Sequence, residues 1–212
     1  MTHDFDEQYW QSHWHQVPGG QPEGRLSPNP YVVEAAGGRT PGRALDAGCG
    51  EGTEAIWLAQ QGWEVTAVDI APVVLRRAAA RAIEHGVPEV RWVRADLTGW
   101  EPDTLFDLVA THYAHPSTSQ LAFYERLARW VAPGGTLLIV GHLHTHESGQ
   151  HHGQPCGRQT PAEASVTAAD ITARLDGTVW LVDRAAELTR AVTSPIGQQV
   201  LLNDVVVRAR HR

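Results

Sequence analysis

The run Ala44-Leu-Asp-Ala-Gly-Cys-Gly-Glu-Gly-Thr53 gathers Gly48, Gly50, Gly52 and two acids into one short turn. Glycines at this spacing let a backbone turn sharply and come close to a ligand. A dinucleotide fingerprint wants its third glycine three positions after the second, and Thr53 holds that place instead. Asp46 and Glu51 flank the turn. Their carboxylates would repel a pyrophosphate and attract a cation, which favours a nucleoside carrying positive charge. Glu51 has a plainer role open to it as well, since the helix dipole stabilises an acid in the first turn. Cys49 reads as a small space-filler within the turn. Asp69 follows Gly50 at the distance from which a carboxylate can accept hydrogen bonds from both ribose hydroxyls, although it could equally cap a helix. Asp96 could accept from an adenine amino group, or simply hold a turn. Three acids at the ends of three successive strands weigh against coincidence.

The elements that must position these groups alternate. Arg43–Ala47 reads as a strand stopped by Gly48, and Glu51–Gln61 as a helix with Gly62 as its stop. Glu64–Asp69 is the second strand, and Pro72 opens a helix running to Glu84. Val90–Ala95 and Phe106–Ala110 are the third and fourth strands. A helix over Leu121–Val131 is expected to end at Pro133-Gly134-Gly135, before a fifth strand, Thr136–Val140. Ala168–Leu175 reads as a helix, with Thr178–Val182 and Val200–Val207 as two last strands. Strands separated by helical patterns imply right-handed crossovers and a doubly wound α/β sheet. The predicted fold is a Rossmann-like, seven-stranded, mostly parallel sheet with helices on both faces.

The successive segments Leu45-Asp-Ala-Gly-Cys-Gly-Glu-Gly, Val68-Asp-Ile, Ala95-Asp-Leu, Phe106-Asp-Leu-Val and Pro133-Gly-Gly-Thr-Leu-Leu resemble the motifs of class I S-adenosylmethionine-dependent methyltransferases. Asp204-Val-Val-Val-Arg is similar to the antiparallel last strand of that fold. Tyr9-Trp-Gln-Ser-His-Trp and Pro28-Asn-Pro loosely resemble the amino-terminal lid of the thiopurine and tellurite-resistance branch. The resemblance implies S-adenosylmethionine as cofactor and S-adenosylhomocysteine as product. It implies cofactor contacts from Asp46, Gly48, Cys49, Gly50, Asp69, Ile70, Asp96, Leu97 and Thr111. In such relatives the lid aromatics close over the sulfonium, which here points to Trp10 and Trp14. An indole face suits a cation. Their spacing of four would also let them anchor one helix face.

Methyl transfer from a sulfonium is an in-line displacement in which the enzyme chiefly aligns the partners and excludes water. The loop Thr111-His-Tyr-Ala-His-Pro lies where an acceptor should approach. His112, Tyr113 and His115 are its candidate catalytic groups, as general base or as polar walls, and His142 joins them after the fifth strand. The nucleobase amino-methylating motif of the Asn/Asp-Pro-Pro-Tyr type is missing, as is a Pro-Cys nucleophile. A second histidine group, His142, His144, His146, His151 and His152 with Glu147 and Cys156, could bind zinc or copper. Its Gly, Gln and Ser neighbours and the lack of helical spacing favour a solvated loop, so no metal site is expected.

The 212-residue chain has room for one sizeable domain. A lid over 1–40, a cofactor-binding core over 41–145 and a histidine-rich loop with terminal strands over 146–212 are expected. All 17 basic residues are arginine, which excludes Schiff-base lysine chemistry and a P-loop lysine. The net charge of −7 argues against nucleic acid as partner. No apolar run approaches the ~18 residues of a membrane span. The acidic, polar start is unlike a signal peptide, and Cys49 with Cys156 makes no disulfide framework, so a cytoplasmic location is expected. Nothing in the sequence sets the oligomeric state. The expected function is methylation of a small-molecule acceptor, a thiol or chalcogen or an oxygen or nitrogen of a natural product. The alternative is a non-catalytic nucleoside-binding or metal-sensing protein that uses the histidine-rich loop. A nicotinamide dehydrogenase is disfavoured by Thr53 and the acidic turn.

Overall fold

Alternate residues of the central strands serve two different apolar clusters, which is what a sheet covered on both faces requires. Ala44, Leu108 and Ala110 join one cluster, Leu45, Ala47 and Val109 the other. In the computed structural model, which describes residues 5–16, 27–143, 165–193 and 199–212, the sheet has seven strands. They are β1 (Arg43–Ala47), β2 (Glu64–Asp69), β3 (Arg91–Arg94), β4 (Phe106–His112), β5 (Val131–His142), β6 (Trp180–Thr193) and β7 (Gln199–His211). Their order is β3-β2-β1-β4-β5-β7-β6. The first five run parallel, β7 is antiparallel to β5, and β6 is an antiparallel edge strand.

Six helices accompany the sheet among the described residues: α1 (Glu7–Gln16), α2 (Pro30–Ala36), α3 (Thr53–Gln60), α4 (Pro72–Glu84), α5 (Gln120–Ala128) and α6 (Ala168–Thr172). Helices α2, α3 and α4 supply Val32, Ile56, Leu58 and Leu75 to one cluster. Helices α5 and α6 supply Phe123, Leu127 and Ile171 to the other. Local signals set several of their starts. Pro72 sits in the first turn of α4, and the Ser119 hydroxyl accepts from the Ala122 amide at 3.2 Å to cap α5. A reciprocal capping box joins Thr167 and Asp170 at α6.

Several boundaries depart from the sequence-based expectation: β3 and α6 are shorter than expected, and β4 and β5 run on to His112 and His142. Helix α3 begins at Thr53 rather than Glu51, because Gly52 is left-handed. Helix α5 ends at Ala128 and not at Val131; Val131 already pairs with Phe106 in the sheet. The ladder then skips Ala132–Gly135 and resumes at Thr136, so the Pro-Gly-Gly turn is a bulge inside β5. The β6–β7 hairpin is far longer than the two short strands expected, since β6 continues through Asp183, Arg184, Glu187 and Arg190. Charges on an edge strand hide its apolar alternation. Helix α2, unforeseen, starts where the Asn29 side chain accepts from the Tyr31 amide at 3.1 Å. No described helix is long and apolar enough to cross a membrane.

Candidate active site

Strand β1 has β2 on one side and β4 on the other, so the connections leaving it part in opposite directions. In open α/β sheets, ligands bind at the carboxyl edge beside such a switch point. A cavity of about 390 Å³ lies there. The glycine turn forms one wall, with the Gly48 and Cys49 amides both donating to the Val68 carbonyl, at 2.9 and 3.0 Å. Gly48 has φ +78° and Gly50 +50°, backbone that favours glycine. A Cβ on Gly48 would come within 2.5 Å of the Ala114 methyl, and one on Gly50 within 3.2 Å of the Trp14 ring. The indole of Trp14 thus lies directly against the turn.

The acids line the same space in three different states. Asp46 is buried and its Oδ2 has no hydrogen-bond partner. Burial, then the charge of Glu54, raises its pKa well above the ordinary carboxylate value. Asp69 accepts from the Gly50 amide (3.0 Å) and the Ala71 amide (2.9 Å). Burial raises its pKa while those amides pull it back. Each of its oxygens keeps a second lone pair for a hydroxyl. Asp96 accepts from the Thr98 amide and hydroxyl, at 2.8 and 2.7 Å, through Oδ1 alone. Ile70, Leu97 and Cys49 complete this side, and the Cys49 thiol is buried, its pKa raised by desolvation first and then by Asp69. Thr111 is the exception. It does not line the cavity, and its hydroxyl donates to the Ala47 carbonyl at 2.8 Å, stitching β4 to β1.

The opposite side is imidazole and aromatic. Helix α1 closes over it, with the Trp10 indole donating to the His115 carbonyl at 3.3 Å. The rings of Trp10, His115, His142 and Tyr113 stand nearly parallel in succession, at centroid spacings of 6.4, 5.6 and 4.4 Å. His142 is the last residue of β5 rather than the first beyond it, and His112 the last of β4. Both ring nitrogens of His112 are shielded from solvent and lack a hydrogen-bond partner. Burial lowers its pKa, against an opposing pull from Glu54. A neutral imidazole with a vacant nitrogen can accept a proton from a bound group. The Tyr113 hydroxyl, by contrast, is taken up by Asp204 and Arg190, each at 2.8 Å.

Residues 44–135 match the family model described as methyltransferase domain. This stretch, from β1 into the start of β5, is similar to a methyltransferase domain. The match leaves α1, the β6–β7 hairpin and most of β5 outside it. An uncharacterized methyltransferase of Mycobacterium tuberculosis is 42% identical over 98 residues, 45% of this chain and 48% of the relative. The chain spans about half the length of the curated relatives it matches. Among solved structures, one concerning conversion of a disulfide bond into a thioacetal group during echinomycin biosynthesis has a TM-score of 0.70 at 22% identity. The likeness covers 97% of this chain and 91% of that one. TehB from Haemophilus influenzae has a TM-score of 0.70 at 16% identity, covering 90% and 64%. These likenesses concern the fold.

Around the matched stretch the structure adds side chains that sequence reasoning missed. Phe5, Tyr9 and His13 of the amino-terminal segment, and Glu54 of α3, line the cavity. Asn29 donates its amide to Glu54 at 3.1 Å. Arg190 and Asp204 reach the site from the terminal hairpin. A buried aspartate inside the valine-rich run after Asn203 was the one available signal. His144, His146, Glu147, His151, His152 and Cys156 lie outside the described residues. Among the described residues no three His, Cys, Asp or Glu side chains are grouped to hold a metal ion.

Proposed function

We propose that the protein is an S-adenosylmethionine-dependent methyltransferase acting on a small-molecule acceptor whose proton His112 removes. The observation that carries this reading is one cavity lined by Asp46, whose Oδ2 has no hydrogen-bond partner, and by the buried His112 imidazole, whose two ring nitrogens have none. Buried polar groups normally have partners, and exceptions ask for a ligand or a catalytic role. The residues fit the cofactor. Asp46 offers a carboxylate to its cationic end, Asp69 has lone pairs for ribose hydroxyls, and the glycine turn leaves no Cβ in the way. When bound, the cofactor supplies an activated methyl group.

The chain's own residues do the rest. Trp10 and Trp14 cover the cavity and exclude water, and the indole of Trp14 holds the cofactor side closed against Gly50. His112 accepts the acceptor's proton, while His115 and His142 present flat faces that orient it. The acceptor is a thiol or chalcogen, or an oxygen or nitrogen on a planar scaffold. Thioacetal formation, the conversion named for the echinomycin-biosynthesis neighbour, is chemistry at sulfur and supports the thiol reading.

Calorimetry with S-adenosylhomocysteine tests the cofactor, and a mass-spectrometric screen of thiols, selenols, phenols and amines tests the acceptor. One-to-one micromolar binding is expected, weakened by about 30-fold in Asp69→Ala, which is ~2 kcal/mol for hydrogen bonds to a buried charge. Absent binding overturns the cofactor assignment. His112→Ala should keep the affinity and lose turnover; full turnover in that variant removes His112 as base.

A further inference from the structure

We infer that Arg190 and Asp204, on the two strands of the carboxyl-terminal hairpin, are positioning residues that fix Tyr113 and the charged surroundings of the acceptor side beside His112. Arg190 Nε donates to Asp204 Oδ2 at 2.6 Å, and Arg190 Nη2 to the Tyr113 hydroxyl oxygen at 2.8 Å. The same hydroxyl donates to Asp204 Oδ1 at 2.8 Å, closing a three-membered ring of charged hydrogen bonds. Asn29 Nδ2 completes its shell at 3.5 Å. Asp204 is wholly buried, whereas the Arg190 side chain is a quarter exposed.

The ring holds something that needs holding. Tyr113 has φ +56°, a left-handed conformation that costs a residue with a side chain on the order of 1–2 kcal/mol. Its amide is tied to the Val140 carbonyl at 2.8 Å, so the hydroxyl is the free end that the hairpin secures. The fixed ring stacks on His142 at 4.4 Å, and His142 is itself the ladder partner of Asp204. Both walls of the acceptor side beside His112 therefore take their position from the hairpin. None of these hairpin residues falls within the matched domain at 44–135.

The charges around His112 come from several elements. Glu54 of α3 and Asp204 of β7 favour its imidazolium, and Arg190 of β6 opposes it. Asp46 of β1, His115 beyond β4 and His142 of β5 line the same cavity. Removing Arg190 should thus raise the His112 pKa, and neutralising Asp204 should lower it. Loosened packing cannot imitate this pair. Burial is the largest cause of the lowered value, so admitting solvent would raise it in both variants.

The proposal rests on the His112 reading only where turnover is measured. Its main test needs neither cofactor nor acceptor. Histidine ring resonances of the full chain are titrated by NMR in the wild type, Arg190→Met, Arg190→Lys and Asp204→Asn. The expected result is an upward shift in Arg190→Met, near-wild-type titration in Arg190→Lys and a downward shift in Asp204→Asn. Shifts of the same sign in Arg190→Met and Asp204→Asn, or none, overturn it. Should Asp204→Asn not fold, Arg190→Glu is compared with Arg190→Met, and a larger upward shift is expected; equal shifts overturn the proposal. With an acceptor in hand, Arg190→Met should raise its KM by about fivefold or more while S-adenosylhomocysteine affinity stays within about twofold. If the wild type binds no S-adenosylhomocysteine, the cofactor reading fails and the titration result still stands.

Discussion

At the residue scale, Asp46 on the proposed reading trades stability for binding. A buried carboxylate with one oxygen lacking a partner is costly, and its raised pKa is the sign of that cost. A carboxylate with a raised folded pKa is stabilising only while protonated. Its penalty therefore appears as pH rises from the unfolded carboxylate value through the folded one. Asp46→Asn removes the charge and should stabilise the free protein above that window by about 1–3 kcal/mol. That corresponds to roughly 2–4 °C in Tm per kcal/mol for a chain of this size. Calorimetric scanning should show the rise, and titration should show weaker S-adenosylhomocysteine binding in the same variant. An equal or lower Tm at neutral pH would mean that the buried oxygen is not a source of strain. His112 follows the same rule with the opposite charge. Its lowered pKa keeps it a competent base below the ordinary imidazole value, so the acid limb of kcat/KM should lie below that of a solvent-exposed histidine.

At the element scale, helix α1 buries no residue and has only ten, fewer than an isolated helix needs in water. Its ties to the body include Glu7 to Arg94, the Gln11 side-chain oxygen to the Val73 amide at 3.4 Å, Trp10 to the His115 carbonyl, and Trp14 on Gly50. Its amides should exchange with solvent faster than those of α4 in the free protein, and slow markedly when S-adenosylhomocysteine binds. Trp14→Ala should abolish the slowing; an α1 protected equally with and without ligand would remove its role as a cover. The elements legible from sequence are those with local signals. β1, β2 and α4 have the expected bounds because glycine, proline and buried apolar runs mark both ends of each. The bulge in β5 and the length of β6 depend on which strand lies alongside, and no local signal carries that. The candidate site divides the same way. The glycine turn and its acids are contiguous in sequence, whereas the Arg190–Asp204–Tyr113 ring joins residues brought together only by the sheet order. Thr111, which the family resemblance places among the cofactor contacts, turns its side chain to β1 instead of the cavity, a consequence of strand alternation.

At the scale of the whole molecule, the lysine-free, acidic chain has placed its charge where an acceptor must enter. Asp46, Glu51, Glu54, Asp69 and Asp96 line the cavity, and among the described residues no arginine does. Of these five acids only Glu51 is ion-paired with arginine among the described residues, to Arg77 and Arg81 at 3.7 and 3.9 Å. On the proposed reading, the cofactor's sulfonium would offset one of the remaining charges and leave the cavity negative. At an effective dielectric of about 20, one unpaired carboxylate about 8 Å away opposes an anion by ~2 kcal/mol. A residual field of that size is enough to separate acceptors that differ only in charge. For an acceptor from the screen that also carries a carboxyl group away from its methylated atom, the free acid and its methyl ester form a matched pair. The ester should have the higher kcat/KM by about tenfold or more, with the gap carried mainly by KM. Because the acids are enclosed rather than spread over the surface, the gap should shrink only modestly between low and physiological salt. A preference for the acid would mean that a cation not among the lining residues reaches the acceptor, and the electrostatic account of the pocket would have to be abandoned.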